Sequence, residues 1–281
     1  MTRYLIAGAG GMLGHDLRDA LDGRDVVALT RADLDVTDAD AVRAATARVD
    51  VVINAAAYTN VDAAESDEAA AFAVNATGAG LLADAAAEAG ARFVHVSTDY
   101  VFAGDATTPY AEDAPRAPLG AYGRTKAAGE RLVLRHPTST VVRAAWVYGE
   151  HGGNFARTML RLAAERDTVS VVTDQVGQPT WSRDLAEAIV GLVDAEAPAG
   201  IYHGTNAGQA SWFDFARAIF TEAGLDPERV RPTDSAAFVR PAPRPAYSVL
   251  GHDRWAAVGL PAPRPWREAL HAAFETGALT A

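Results

Sequence analysis

The sequence predicts an α/β protein: a doubly wound parallel sheet followed by a smaller, helix-rich part. Three observations carry that expectation. Short apolar runs alternate with helical stretches through the first half. Those runs are continuously apolar, as a strand covered on both faces must be. After about Gly149 the pattern changes, with denser Pro and Gly and longer loops between helices.

Each element follows in turn. Residues 4–7 read as a strand that runs into glycines and then into residues 12–21 at helical spacing. Residues 26–29 and 49–54 are further strands, with Val51, Val52 and Ile53 as buried core. Residues 72–89 read as one long helix, 92–97 as a strand, 126–135 as helix, and 140–143 as the start of another strand. Strands alternating with helices build parallel βαβ units. Residues 231–245 are Pro-rich and without a clear period. There is no repeat, no low-complexity tract and no long linker, so the second part is expected to pack directly on the first.

Composition narrows the function classes. A chain of 281 residues, 49% hydrophobic and 22% charged, is an ordinary globular composition and excludes disordered, coiled-coil and collagen-like proteins. No apolar run reaches the ~18 residues of a membrane span. The first residues lack the features of a signal peptide, and there is no cysteine. Together these fit a cytoplasmic location. A formal net charge of −11 argues against nucleic-acid and membrane-surface partners.

Gly8, Gly10, Gly11 and Gly14 follow the first strand and open the first helix, with Met12 and Leu13 between them. In that context glycines allow a tight turn and close backbone approach to a pyrophosphate, and the helix start supplies free N–H groups. The first part, residues 1–148, is therefore expected to be a Rossmann-like NAD(P)-binding domain, to which later segments can return. Residues 149–281 are expected to form mainly a substrate-binding domain. The end of the second strand lacks the acidic residue that holds the 2′-hydroxyl of NAD and carries Thr30 and Arg31 instead. A guanidinium suits a 2′-phosphate. The expectation is NADPH, with NADH as the second candidate. Asp35 and Val36 follow toward the adenine, and the small residues Ala55, Ala56 and Ala57 after the third strand let backbone lie against a cofactor.

Tyr122 and Lys126 are four residues apart, which puts both on one helix face. A free phenol has a pKa of ~10, and an adjacent ammonium favours its ionised form. Thr98 lies at the C-terminal end of a predicted parallel strand, where doubly wound folds place ligands. Its hydroxyl can hydrogen-bond a carbonyl oxygen.

Glycine loop, hydroxyl, tyrosine and lysine in this order resemble the extended type of the short-chain dehydrogenase/reductase superfamily. Within it the chain is similar, along nearly its whole length, to the dTDP-4-dehydrorhamnose reductases. The stretches that carry the likeness are NAAAYTNVD at 54–62, VSTDYVF at 96–102, YGRTK at 122–126, AWVY at 145–148, NFARTM at 154–159, DQVGQPT at 174–180 and RPAYS at 244–248. The resemblance implies hydride delivery from NAD(P)H to C4 of dTDP-4-dehydro-β-L-rhamnose, giving dTDP-L-rhamnose. It implies Tyr122 as proton donor, Lys126 as its modulator and ribose ligand, and Thr98 as polariser of the carbonyl. Asp99, Tyr100 and Trp146, and less directly Asn154, Gln178 and Arg244, are implied in the substrate pocket. Sugar-nucleotide 4,6-dehydratases carry an Asp-Glu pair after the Thr. Here Asp99-Tyr100 stands there, and the glutamate for elimination is missing. Some family members bind Mg²⁺ at a dimer contact. Asp16 matches one ligand position but Arg183 occupies another. No metal ligand is assigned, a Mg²⁺ requirement stays open, and so does a homodimer.

The rival functions are a related dTDP-4-keto-deoxysugar ketoreductase of secondary metabolism, a non-catalytic NADP-binding subunit like the regulatory one of methionine adenosyltransferase, and an epimerase. Asn75 is read either as an orienter of active-site backbone or as a packing amide. His95 is read as a core residue, and the acidic cluster Asp62, Glu65, Asp67 and Glu68 as a solvated helix start.

Overall fold

A computed structural model describes residues 1–280. In the first half, strands β1 (Arg3–Ala7), β2 (Asp25–Leu29), β3 (Val51–Asn54), β4 (Arg92–Thr98) and β5 (Ser139–Ala144) alternate with helices. These are α1 (Met12–Ala20), α2 (Ala39–Thr46), α3 (Val61–Ala64), α4 (Glu68–Phe72), α5 (Ala79–Glu88) and α6 (Ala121–Val133). The predicted long helix at 72–89 begins earlier and is not uniform. A π-helical turn, Ala73–Gly78, joins α4 to α5. This rod, Glu68–Glu88, is apolar and long enough by composition to cross a membrane, yet over half of it is buried against the rest of the fold.

The second half contributes short strands β6 (Val147–Tyr148), β7 (Val169–Val172), β8 (Val176–Gly177) and β9 (Thr180–Trp181), then β10 (Gly200–His203), β11 (Ala210–Ser211) and β12 (Val230–Thr233). Its helices are α7 (Phe155–Glu165), α8 (Ser182–Asp194), α9 (Trp212–Glu222), α10 (Asp253–Ala257) and α11 (Trp266–Glu275). A capping box between Ser211 and Asp214 fixes the start of α9.

The main sheet has six parallel strands in the order β10-β5-β4-β3-β1-β2. Successive residues of each strand face opposite layers. Tyr4, Ile6, Ile53, Val94 and Val142 meet Leu17 of α1 and Leu185 and Ile189 of α8 on one face. Leu5, Val52, Phe93 and Val141 meet Val42, Leu82 and Val133 on the other. Thus β10 and α8 from the second half complete the first-half sheet. A separate core around Tyr148, Phe215, Phe220, Trp266 and Leu270 builds the remaining lobe. The strand order reverses between β1 and β3, and ligands of such sheets bind at that crevice.

Candidate active site

The glycine loop closes the crevice on the β1 side. Gly8 has a φ of +86°, and a Cβ there would lie 2.5 Å from the backbone nitrogen of Ala56. A Cβ on Gly14 would collide with the carbonyl oxygen of Gly8. Both positions need glycine because three backbone segments touch. Gly11 caps α1 without any side-chain hydrogen bond, so the first-turn N–H groups around Met12 and Leu13 are left as donors for an anion. In front of them lies a cavity of about 800 Å³, lined by Gly8, Gly10 and Gly11, by Ala55, Ala56 and Ala57, and by Arg31, Asp35 and Val36. Size, glycine cradle and uncapped helix fit the diphosphate and ribose of a dinucleotide.

At the far end of this cavity the two candidates for a 2′-phosphate separate. The Thr30 hydroxyl donates to Asp33 at 2.6 Å, and its N–H donates to the same carboxylate at 2.9 Å. Asp33 was not singled out from the sequence, although a Thr followed three residues later by Asp is a turn signal. Arg31 is exposed and makes no ion pair among the described residues. Asp35 accepts from the hydroxyl of Thr37 at 2.7 Å and from its N–H, which holds its carboxyl below the usual range.

Thr98 ends β4 and Tyr122 begins the exposed-to-crevice end of α6. Gly123 lets α6 press against the carbonyl of Tyr100, where any Cβ would collide. The Thr98 hydroxyl lies 2.9 Å from Asp99 Oδ1 and accepts from the Tyr100 N–H at 3.2 Å. Burial pushes the Tyr122 phenol up to about 12; the hydrogen bond with Thr98 pulls it down and the Asp99 charge pushes it up. Lys126 is buried one turn further on. Its ammonium nitrogen donates to the Val96 carbonyl at 2.6 Å and lies 3.3 Å from His95 Nε2. Burial pushes Lys126 down to about 8, with Glu130 acting in the opposite sense. The expected lowering of the Tyr122 pKa by Lys126 is not found, because the amine turns toward β4 rather than toward the phenol.

Tyr122 is linked to a lining residue of each of two cavities. It shares a small apolar cluster with Tyr58, which lines the dinucleotide-sized cavity. On its other side Tyr100 meets it edge-on at 5.6 Å. Tyr100, Phe155, Trp212 and Arg244 line a second cavity of about 600 Å³. Arg244 donates to Asp62 at 2.9 Å and to the Ala242 carbonyl at 3.1 Å, so the ion pair weighed for it exists and keeps it at the cavity wall. Asp62 is thereby an anchor of the Pro-rich loop, not merely a solvated helix start. Glu65 accepts the Ala121 N–H at the start of α6, and Glu68 pairs with Arg124.

Trp146 has a φ of +47°, a strained value for a tryptophan, and stacks on Trp212 with ring centroids 3.6 Å apart. Trp212 and Phe155 were not singled out from the sequence. Two expected pocket residues have their amides engaged within the fold. Asn154 caps α7, its amide engaged by the Arg157 N–H and the Gly149 carbonyl. Gln178 is buried and holds Leu250 through both its N–H and its carbonyl, and accepts from Thr205. Both amides thus hold backbone in place beside the lobe.

Asn75 takes the first of its two readings. It accepts from the Tyr58 N–H at 2.8 Å and donates to the Tyr58 carbonyl and to Thr125. It therefore fixes the backbone between β3 and α6. Asp16 is buried beside Ser182, with one carboxylate oxygen lacking a partner, and Arg183 pairs with Glu187. Among the described residues no three carboxylates or imidazoles gather as a metal site.

A family model described as the RmlD substrate binding domain matches residues 2–278. A probable dTDP-4,6-dihydroxy-2-methyloxan-3-one 4-ketoreductase of Streptomyces antibioticus is 55% identical, over 97% of this chain and 94% of that protein. A dTDP-4-dehydrorhamnose reductase of Mycolicibacterium smegmatis is 53% identical, over 95% of this chain and 84% of that protein. The crystal structure of a dTDP-4-dehydrorhamnose reductase from Bacillus anthracis in complex with NADP superposes with a TM-score of 0.95 at 38% identity, covering 98% of this chain and 100% of that one.

Proposed function

The chain belongs to the RmlD substrate-binding-domain family, and from that premise we propose that it is an NAD(P)H-dependent dTDP-4-dehydrorhamnose reductase. It reduces the C4 ketone of dTDP-4-dehydro-β-L-rhamnose to the alcohol of dTDP-L-rhamnose. The observation that carries this reading is Tyr122 with Thr98 beside it and Lys126 one turn on, packed by Tyr58 of a glycine-cradled cavity's wall and Tyr100 of an aromatic-lined one's.

A reduced nicotinamide dinucleotide, when bound, supplies the hydride. Gly8, Gly10, Gly11 and the α1 N-terminus hold its diphosphate, Ala55, Ala56 and Ala57 lie against it, and Arg31 favours the 2′-phosphate of NADPH. Tyr122 gives its proton to the oxygen that becomes an alkoxide. A phenol held near 12 stays protonated until such a base forms, so it acts as an acid only when charge develops in front of it. Lys126 binds the ribose and orders the β4 end of the site. Thr98 hydrogen-bonds the ketone oxygen. Arg244, already at the wall of the second cavity, offers its remaining donors to the sugar diphosphate. Residues 1–148 together with the returning α8 and β10 hold the cofactor, and the lobe around Trp146, Phe155 and Trp212 closes over the sugar nucleotide. Substrate and cofactor are both soluble metabolites, in keeping with a cytoplasmic site of action.

The test is oxidation of NADPH and NADH with enzymatically generated dTDP-4-dehydrorhamnose, followed by NMR of the product. Formation of dTDP-L-rhamnose is the expected result, and a folded protein with no turnover overturns the reading. A second reading is favoured by the 55% identity to a 4-ketoreductase with another named substrate: reduction of a different dTDP-4-keto-deoxysugar. The same NMR spectrum separates the two through the configuration at C4 and at the neighbouring carbons.

A further inference from the structure

Thr98 owns a single hydroxyl proton, and its neighbours compete for the hydroxyl. The Tyr100 N–H donates to Oγ1 at 3.2 Å, and Asp99 Oδ1 lies 2.9 Å away. An ionised carboxylate can only accept. The Tyr122 phenol is the third partner of this hydroxyl. While Asp99 is ionised, it is the strongest acceptor of the three and draws the Thr98 proton, which leaves the phenol facing a Thr98 lone pair. Thr98 then has only lone pairs to turn toward a ketone oxygen, and two acceptors repel. A protonated Asp99 reverses the bond. The acid donates to Thr98, and the Thr98 proton is released toward the ketone.

The surroundings of Asp99 suit such a change of state. It is 2% exposed, and its Oδ2 has no hydrogen-bond partner among the described residues. The groups that face it are the hydroxyl of Ser248, Thr98 and the Tyr100 backbone, with the Tyr122 phenol across from it on α6. None is a cation. The guanidinium of Arg244, which faces the adjacent Tyr100, is paired with Asp62 at 2.9 Å. Burial without a counter-charge raises a carboxyl, here to about 6.

We propose that Asp99 is a positioning residue for the reduction, whose carboxyl proton decides whether Thr98 can donate to the ketone oxygen. The proposal rests on the reductase reading above. It adds no covalent step. Hydride goes to C4, the Tyr122 proton goes to the new alkoxide oxygen, and solvent later restores that proton. The protons of Asp99 and Thr98 are shared but not consumed.

The experiment is the pH dependence of kcat and KM for the parent enzyme, Asp99→Asn and Thr98→Ala, with folding followed by circular dichroism. Asn has the shape of the protonated acid, donates to Thr98 and cannot ionise. In the parent, kcat is expected to fall as pH rises through about 6, approaching about tenfold per pH unit where one ionisation controls the rate. In Asp99→Asn that fall is expected to vanish, with KM nearly unchanged. It is also expected to vanish in Thr98→Ala, whose kcat stays near the low level that the parent reaches at high pH, because Asp99 acts only through Thr98. A fall of kcat with pH that persists in either variant overturns the proposal while leaving the reductase reading intact. Absence of turnover in the parent overturns the reductase reading and this one with it. Should Asp99→Asn fail to fold, Thr98→Ala alone decides.

Discussion

His95 and Lys126 meet in the buried layer under the active site, ring Nε2 to amine at 3.3 Å. Asn54 accepts the Ala56 N–H at 3.0 Å, so its amide nitrogen faces His95 Nδ1 at 3.1 Å and donates to it. That leaves the imidazole proton on Nε2, pointing at an amine that must accept it. This one contact disfavours the Lys126 cation, so the amine gives up its proton more readily than an exposed one. Burial acts in the same direction and pushes the amine down to about 8, while burial and Lys126 keep His95 neutral.

A cofactor contact made by the ammonium form should be lost as pH rises through about 8. The dissociation constant for NADPH is expected to increase between pH 7 and 9 in the parent protein and to be weaker and nearly pH-independent in Lys126→Met. Fluorescence titration of NADPH at several pH values checks this. A Lys126→Met protein with parental affinity and parental pH dependence would remove Lys126 from the cofactor site.

Tyr122→Phe keeps the ring that packs on Ala64, Ala71 and Ala121 and against Tyr100, and deletes the proton. Folding and cofactor affinity are expected to be unchanged, and kcat to fall by ~10²–10⁴. Steady-state kinetics with purified keto sugar measure it. An unaltered kcat would exclude Tyr122 as the acid.

The sheet was legible because its strands are buried on both faces, so Val51, Val52 and Ile53 need no alternation to be recognised. The glycine loop and the Tyr122–Lys126 pair were legible because their chemistry lies in local spacing. Contacts across the fold were not. Nothing local ties Asp62 to Arg244, which are 182 residues apart, or Arg143 to Glu130 across a strand and a helix. Asn154 and Gln178 illustrate the opposite limit. An amide in a motif reads as a pocket donor, and only the fold reveals that a helix start and a neighbouring backbone have already engaged it.

Arg143 and Glu130 have fully buried side chains and form a bidentate pair at 2.8 Å, joined by Ser97 and Arg116. Burial pushes the Glu130 carboxyl up, but Arg143, Ser97 and Arg116 outweigh it and hold it below the usual range. Arg143→Met leaves that carboxylate with Ser97 and the half-buried Arg116 alone, so the loss is expected at or below the cost of a fully unpaired charge. Breaking such a pair by removing one partner costs roughly 3–5 kcal/mol. A drop of up to that order in urea unfolding is expected. A variant as stable as the parent would mean that the pair is replaceable by apolar packing alone.

Acid should destabilise the fold earlier than its carboxylates require. His203 is held down to about 3, first by burial and then by the Arg143 charge, and His95 is also held well below its ordinary value. In the unfolded chain each takes a proton as pH falls through ~6.5. In the fold neither does, so protons favour the unfolded state. Stability is expected to fall from about pH 6.5 downward, by up to about 1.4 kcal/mol per pH unit for each histidine. Unfolding midpoints at pH 7, 6 and 5 measure the slope. Asp99, raised to about 6, takes its proton earlier in the fold than in the unfolded chain and offsets at most one histidine below that pH. A flat profile from pH 7 to 6 would mean that both histidines are protonated in the native state.

Arg31 decides the cofactor if it reads the 2′-phosphate. The neighbouring hydroxyl of Thr30 is engaged by Asp33 at 2.6 Å, so no second side chain from that pair compensates for its loss. Hydrogen bonds to a charged group contribute roughly 1.5–3 kcal/mol, or about 10- to 100-fold in affinity. Arg31→Asp is therefore expected to raise the KM for NADPH by about that factor and to leave the KM for NADH near its parental value or lower. Added salt should narrow the gap in the parent, because Arg31 is exposed and its field is screened. Kinetics with both nicotinamides at low and high salt measure the two effects together. An NADPH/NADH ratio unmoved by Arg31→Asp would assign the preference to another group.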